Sequence, residues 1–313
     1  MKRLVADILV GPTASGKSAV AQWLAERTRP PRPLIAADSM TVYCGMEIGT
    51  AKPEEADRRR APTYGLDVAT PSQEFSVGDY LAALRPQARQ WTEAGQQPII
   101  VGGTGLYVKG LAEGLDSAPP SAPEHRAAAE ALLAREGLEA LQHALRRLSS
   151  EQYARLRDPE NPRRLVRAYE LVAGGHEIPL VTERPRPRMA GLLWNPEDLL
   201  ARITRRARQM FAHGLVDEVR ALREQYPAGL SETARHAIGY EEAARLLDGE
   251  IPEEEAIRLT ILRTRQYTKR QMTWFRHQAD VEWVEVSPDD SIERVAGRVQ
   301  RIWDRHGPVA LML

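Results

Sequence analysis

The sequence predicts an α/β fold, in which a parallel sheet carries helices on both faces and is interrupted by a helical insertion. Before residue 118, short apolar runs ("LVADILV", "PLIAAD", "PIIVGG") alternate with amphipathic helical patterns, as in parallel strands joined by helices. Two proline-rich segments, 117–126 and 183–191, flank a stretch rich in Ala, Leu, Glu and Arg whose apolar residues recur every three or four positions, which favours helix. "AGLLWN" and "VEWVEV" predict two later strands, separated by long charged helices.

The proline-rich segments place the domain boundaries. We expect residues 1–118 and 191–313 to form the α/β core, and residues 119–190 to form the helical insertion. Within the core, the first helix is predicted to run from Ser15 to about Arg27, and "SIERVAGRVQRIW" is predicted to form the closing helix.

Composition sets broad limits on the class of protein. The 313 residues are 42% hydrophobic, enough for a sizeable core, and no apolar run has the length of a membrane span. Asp7 interrupts the short apolar run after the first residues, so we interpret this run as a strand of a cytoplasmic protein rather than a signal peptide, although the pattern does not explain Asp7. Cys44 is the only cysteine, which excludes an internal disulfide. The 43 basic and 43 acidic residues balance, so total charge neither supports nor excludes a nucleic-acid partner.

The stretch "GPTASGKS" matches the phosphate-loop pattern G-x-x-x-x-G-K-[ST] in full and lies between a predicted strand and a predicted helix. This arrangement predicts a P-loop NTPase-like core and first suggests ATP or another nucleotide as ligand. Backbone N–H groups of such a loop converge on phosphate oxygens, and the following helix N-terminus adds partial positive charge. Lys17 would balance the terminal phosphates, and the Ser18 hydroxyl would join the shell of a Mg²⁺ ion. The residues expected to bind the phosphates are Gly11, Pro12, Thr13, Ala14, Ser15, Gly16, Lys17 and Ser18.

The acidic partner that such a loop usually has in ATPases and kinases is missing from its usual place. "PIIVGGTG" ends in two glycines and Thr104, whereas "LIAAD" ends in Asp38. Asp38 is therefore the carboxylate expected at the carboxyl edge of the sheet, where open α/β sheets bind ligands. It could hold Mg²⁺ through water, cap the next segment, or act as a general base.

A basic segment lies near the C-terminus. Residues 256–279 contain no acidic residue, and Arg258, Arg265, Lys269 and Arg276 have spacings that place them on one face of a helix. Such a stripe suits phosphate contact. The aromatic residues of this segment, Tyr267, Trp274 and Phe275, could pack in the core or stack on bases, and we favour the core.

Several longer segments resemble the tRNA dimethylallyltransferase (tRNA isopentenyltransferase) family in its bacterial form without a zinc finger. The resemblance covers nearly the whole chain in order and is carried by "GPTASGKS", "DSMTVYCGMEIGTAKP", "PIIVGGTGLYVKGLAEGL", "PRRLVRAYEL", "RITRRARQMFAHGLVDEV", "HAIGYEEA" and "TRQYTKRQMTWFR".

The resemblance implies that the loop holds the diphosphate of dimethylallyl diphosphate. The prenyl group would pass to the exocyclic amine of the adenine 3′-adjacent to the anticodon, in tRNAs that read codons starting with U, and diphosphate would leave. Asp38 would orient the amine and take its proton, while Thr13 and Arg206 would contact the diphosphate as further catalytic residues. Mg²⁺ is the implied cofactor, and the protein is expected to be a cytoplasmic monomer with no membrane partner.

The resemblance also assigns contacts to tRNA. The implied residues are Asp38, Ser39, Met40, Thr41, Thr104, Arg126, Arg163, Arg164, Leu165, Val166 and Arg167, to which the basic segment adds Lys269 and Arg270. At Cys44, Tyr64, Gly65 and Glu241 the chain departs from the residues common in the family, which puts contacts at those positions in doubt.

Two other functions are compatible with a phosphate loop. One is an ATP-dependent small-metabolite kinase that uses "RRLVR" as an arginine lid, and the other is a non-catalytic RNA-binding ATPase. The missing acid after "PIIV" argues against the kinase, and the longer motifs argue more strongly.

Overall fold

The computed structural model describes residues 3–115, 122–179 and 186–313. The chain forms two compact units: Met1–Gly114 with Arg186–Leu313, and Leu115–Pro185. The predicted insertion, 119–190, overlaps the second unit, but its last five residues, 186–190, belong to the first. The last three of these open a strand that pairs in register from Arg188 opposite Asp280.

The first unit contains a seven-stranded sheet. Its strands are β1 (Val5–Val10), β2 (Leu34–Ala37), β3 (Thr63–Tyr64), β4 (Ile99–Gly102), β5 (Arg188–Trp194), β6 (Asp280–Val286) and β7 (Val309–Ala310). Along the sheet the order is β3-β2-β4-β1-β5-β6, all parallel, and β7 pairs antiparallel with β1. The predicted parallel sheet is confirmed. Strands β3 and β7 were not predicted, because two residues are too few to show an alternating pattern.

The helices of the first unit alternate with these strands. They are α1 (Lys17–Ala25), α2 (Glu55–Arg60), α3 (Val77–Glu93) and α4 (Gly105–Glu113), followed after the second unit by α8 (Pro196–Ala212), α9 (Leu215–Gln225), α10 (Glu232–Arg235), α11 (Tyr240–Leu247), α12 (Glu253–Gln278) and α13 (Ile292–His306). None of the helices in the described ranges is long and apolar enough to span a bilayer.

Alternation along the strands gives the sheet two buried faces. Leu9 of β1 packs in one apolar cluster with α1 and α13, whose Val20 and Trp303 are buried there. Ile8, the neighbouring residue, must point to the opposite face and is also buried. On that face α4 contacts β2 and β4. Helices therefore cover both faces, as predicted, and the carboxyl ends of β1, β2 and β4 meet at one edge.

Asp7, which the pattern left unexplained, is buried at the start of β1 and paired. Its Oδ2 accepts hydrogen bonds from Arg32 Nη2 at 2.6 Å and from Gln97 Nε2 at 2.8 Å. The Arg32 guanidinium also donates to the carbonyls of Gln97 and Pro98. This network ties the segments that lead into β2 and β4 to β1, so Asp7 aligns three strands that deliver residues to the same edge.

The second unit is helical. It contains α5 (Pro123–Leu148), which has a non-helical residue at Gly137, α6 (Ser150–Arg155) and α7 (Pro162–Ala173). Asn161 caps α7 by accepting from the backbone N–H groups of Arg163 and Arg164. Leu165 and Val166 are buried in the apolar core of this unit, so their side chains stabilise it, whereas Arg163 and Arg164 are exposed.

Candidate active site at the phosphate loop

The predicted phosphate loop connects β1 to α1 at the carboxyl edge of the sheet. Gly16 caps α1 with a left-handed backbone, φ 86°, which a glycine adopts without strain. The Ser15 N–H donates to the Pro12 carbonyl at 3.2 Å, closing a tight turn. The Ser15 hydroxyl is buried and bonds to no described residue. The loop thus presents a helix N-terminus at the point where phosphate is expected.

Two side chains that sequence analysis missed hold this loop from outside. Trp194, the last residue of β5, donates from Nε1 to the Ser15 carbonyl at 2.8 Å. Arg202 of α8 donates from Nε to the Ala14 carbonyl at 2.7 Å, and its guanidinium stacks over the Trp194 ring at 4.4 Å. Because the C=O and the next N–H of a trans peptide point in opposite directions, fixing the Ser15 carbonyl turns the Gly16 N–H the other way. The loop is therefore set in place before any ligand binds.

Lys17 lies in an unusual environment for a lysine. It is half-buried, and its ammonium donates to the Pro12 carbonyl at 3.3 Å. Burial lowers the pKa of Lys17 to about 8; the Asp38 carboxylate opposes this shift and the Arg206 guanidinium adds to it. An anionic ligand at the loop would raise this pKa again by stabilising the ammonium cation, so this lysine is suited to bind phosphate.

Asp38 follows β2 at the same edge as the loop. Its Oδ1 accepts from the Met40 N–H at 2.9 Å, and the Thr104 hydroxyl accepts from the Ser39 N–H at 3.1 Å. The carboxylate thus caps the next segment with one oxygen, and its second oxygen bonds to no described residue. One oxygen fulfils the capping alternative, and the other is available for ligand chemistry.

Arg206 of α8 completes the charged cluster. Its Nη2 donates to the Thr50 carbonyl at 3.3 Å. Burial lowers its pKa, while the charge of Asp38 favours the cation. The structure therefore brings together Lys17, Asp38 and Arg206, three residues that the sequence places far apart.

Helix α12 supplies Gln271, which sequence analysis did not identify as part of the site. Gln271 is buried; its Oε1 accepts from the Thr13 N–H and its Nε2 donates to the Gly103 carbonyl, both at 2.9 Å. This amide joins the phosphate loop to the turn after β4. A Cβ on Gly103 would lie 2.2 Å from Gln271 Nε2, so the glycine is needed for this close approach. No local sequence pattern identifies Gln271, because its partners lie in the distant turns that follow β1 and β4.

The aromatic residues of α12 are mainly packing residues. Phe275 is fully buried and meets Trp274 edge-on, with ring centroids 5.2 Å apart. Trp274 and Tyr267 are half-buried, so the core location favoured from sequence holds fully only for Phe275. Tyr267 lies beside Thr104 and Gln271, and burial followed by the charge of Asp38 raises its pKa to about 12.

The basic stripe of α12 is present at the surface. Arg265, Lys269 and Arg276 are exposed, as is Arg270. Arg258, predicted to share the stripe, pairs with Glu255 at 2.7 Å. Among the predicted tRNA contacts in the second unit, Arg126 and Arg164 are exposed: Arg126 pairs with Glu130, and Arg164 lies 3.7 Å from Asp158. The side chains of Leu165 and Val166 are buried in the core of this unit and are not available to contact tRNA.

Three of the four positions that depart from the family pattern, Tyr64, Gly65 and Glu241, have structural roles. Tyr64 meets Trp91 edge-on at 4.9 Å, and Gly65 has a positive φ of 79°. Glu241 accepts from Arg263 Nη1 at 2.7 Å. Cys44 is a half-buried free cysteine. None of these observations adds a ligand contact.

Comparison with known proteins identifies the family. The model of the IPP transferase family matches residues 41–278. A tRNA dimethylallyltransferase of Thermus thermophilus is 41% identical over 87% of this chain and 89% of its own, and one of Anaeromyxobacter dehalogenans is 39% identical over 94% and 98%. The solved tRNA isopentenylpyrophosphate transferase of Bacillus halodurans superposes with a TM-score of 0.68 at 34% identity, over 97% of this chain and 98% of that one. The matches cover most of the sequence, and the chain belongs to the IPP transferase family.

Proposed function

We propose that this protein transfers a dimethylallyl group from dimethylallyl diphosphate to the exocyclic amine of the adenine 3′-adjacent to the anticodon in tRNA. The curated relatives are named tRNA dimethylallyltransferase, and those names do not favour the kinase alternative. The observation that carries the proposal is the cluster of Lys17, Asp38 and Arg206 beside a phosphate loop, at an edge where β4 ends in glycine instead of an acid.

The diphosphate would lie on the loop. Lys17, Arg206 and the Gly16 N–H would stabilise the negative charge that develops as the bond between the allylic carbon and oxygen breaks. Thr13, whose N–H is already held by Gln271, would contact the same group with its hydroxyl. Since diphosphate is a stable dianionic or more highly charged leaving group, fixed cations at this position lower the barrier to its departure.

The acceptor amine would approach Asp38. The amine nitrogen forms the new bond to carbon, and the oxygen of Asp38 that bonds to no described residue takes the proton released from nitrogen. An aromatic amine is a weak nucleophile, so alignment by Asp38 against the allylic carbon should matter as much as proton removal. The adenine must leave its stack to reach this edge, which an anticodon loop permits more easily than a duplex.

Mg²⁺ fits the residues present. Ser18 is the second residue of α1 and is exposed, and its hydroxyl bonds to no described residue. A hard cation prefers oxygen ligands and keeps several waters, so this hydroxyl would hold Mg²⁺ together with diphosphate oxygens. Bound there, the ion would neutralise charge on the leaving group.

We extend the proposal to the tRNA contacts and to the setting. Ser39, Met40 and Thr41 continue from Asp38, and Thr104 anchors this segment through Ser39, which supports the proposal that these four residues contact the flipped nucleotide. Surface cations suited to the phosphate backbone are Arg126, Arg163, Arg164, Arg167, Lys269 and Arg270. We propose that the protein acts as a monomer in the cytoplasm.

Replacing Asp38 by alanine tests the acid–base assignment. We expect single-turnover transfer to fall by at least 10²-fold, the usual contribution of a general base, while tRNA affinity stays within about threefold. Asp289→Asn, at an exposed aspartate, is the control and should be neutral. A near-wild-type single-turnover rate for Asp38→Ala would remove Asp38 from the role of base.

A further inference from the structure

Glu218 of α9 fills a pocket of backbone N–H groups next to the site. Its carboxylate accepts from the N–H of Glu47 at 3.0 Å, of Ile48 at 2.9 Å and of Gly49 at 3.5 Å. Successive N–H groups that converge on one point form a site for an anion, and here that anion belongs to the protein itself. The carboxylate therefore fixes the backbone of a turn that leads directly to Thr50.

Tyr240, the first residue of α11, closes the same turn from the other side. Its hydroxyl donates to Glu218 Oε1 at 2.6 Å. Burial and the adjacent Glu218 carboxylate both raise the pKa of this phenol, which keeps it a donor. A Cβ on Gly49 would lie 2.2 Å from the Tyr240 ring, so the glycine lets the ring pack directly on the backbone.

The turn is also anchored from within. The buried Lys52 ammonium donates to the Tyr43 carbonyl at 2.6 Å and pairs with Glu47 at 2.7 Å and Asp67 at 2.5 Å. Its position depends on the turn that Glu218 caps, because the Lys52 N–H itself donates to the Glu47 carbonyl at 3.1 Å. Both ends of the turn are thus fixed.

Together these contacts fix the orientation of the Thr50 carbonyl. In the described part of the chain, the Thr50 carbonyl is the only hydrogen-bond acceptor of Arg206, at 3.3 Å. Arg206 is half-buried, and a long side chain in such a place needs an acceptor to hold one rotamer. The function proposed above uses neither Glu218 nor Tyr240. Both lie in segments that resemble the family, "RITRRARQMFAHGLVDEV" and "HAIGYEEA".

We infer that Glu218 is a positioning residue for the transfer reaction: through the turn 47–50 and the Thr50 carbonyl, it aims the Arg206 guanidinium at the diphosphate. This inference rests on the proposed function, since it concerns the same diphosphate site. Glu218 itself need not touch the substrate. Its loss should weaken diphosphate binding only when Arg206 is present to be misplaced.

A double-mutant cycle on inorganic pyrophosphate binding tests the coupling. Binding is measured by titration calorimetry with Mg²⁺ for the wild-type protein, Glu218→Gln, Arg206→Lys and the double variant. We expect Glu218→Gln to weaken pyrophosphate binding about tenfold, the effect of losing one charge-assisted contact, and less than twofold in the Arg206→Lys background, because lysine lacks the planar fork that can hold two acceptors. Asp217→Asn, at the exposed neighbour on α9, is the matched control and should leave binding unchanged.

Equal weakening in both backgrounds, or none in either, would overturn the inference. If Glu218→Gln fails to fold, Tyr240→Phe removes a single hydroxyl donor and is carried through the same cycle, with about threefold weakening expected only when Arg206 is present. A wild-type protein that binds no pyrophosphate would overturn the proposed function as well, whereas wild-type binding without coupling overturns the role of Glu218 alone.

Discussion

Lys17→Met should make the folded protein more stable while removing its ligand affinity. In the folded chain the pKa of Lys17 is lowered from its ordinary value of 10.5 to about 8, chiefly by burial. At 1.36 kcal/mol per pKa unit this corresponds to about 3 kcal/mol, and because the side chain keeps some solvent contact we expect about 1–3 kcal/mol. Methionine has a similar length and no charge, so the variant avoids this cost.

The pH dependence of the stability difference between Lys17→Met and the wild type tests whether the charged lysine destabilises the folded chain. Between pH 8 and 10.5 the unfolded chain holds this proton more tightly than the folded chain, so the penalty is full below about pH 8 and disappears as pH rises toward 10.5. Urea unfolding at pH 7 and pH 10 measures it: Lys17→Met should exceed the wild type at pH 7 and approach it at pH 10. Lys109→Met, which loses only a long ion pair with Glu113, should change by about 0.5 kcal/mol or less. A Lys17→Met protein less stable than the wild type at pH 7 would refute the reasoning.

Other substitutions test the surroundings of the site. Gly49→Ala would place a methyl 2.2 Å from the ring of Tyr240, and we expect about 1–3 kcal/mol of destabilisation by thermal unfolding; unchanged stability would contradict this packing. Asp7→Ala leaves the half-buried guanidinium of Arg32 without its carboxylate, so unfolding in urea should show a loss of about 3–5 kcal/mol. A loss below about 1 kcal/mol would argue against a strand-aligning role. Gln271→Glu would set a carboxylate against a backbone carbonyl 2.9 Å away, and the KM for dimethylallyl diphosphate should rise about tenfold. Gln271→Met is the uncharged comparison. An unchanged KM would show that Gln271 of α12 does not position the phosphate loop.

Local features of the sequence were enough to predict much of this site. The phosphate loop and Asp38 could be predicted because each follows a strand directly and parallel strands end at one edge. Gln271 and Glu218 could not, since their hydrogen-bond partners lie 258 and 170 residues away along the chain. Nothing in their own segments shows which distant backbone groups they meet.

Arg206 lies between these cases. As one of several arginines on a charged helix it carries no local sign of function, and only the resemblance to a family selected it. In the structure its half-buried position beside Asp38 and its lowered pKa give the physical reason for that choice. Asp7 is the converse: a charge that breaks an apolar strand pattern becomes intelligible once Arg32 is seen to pair with it.

Nucleoside mass spectrometry of tRNA incubated with the protein, Mg²⁺, dimethylallyl diphosphate and ATP tests the central claim most directly. The proposed function predicts one five-carbon unit on a single adenosine per tRNA, an equal amount of pyrophosphate released, and ATP unchanged. Unmodified adenosine after exhaustive incubation, with ATP consumed instead, would contradict it.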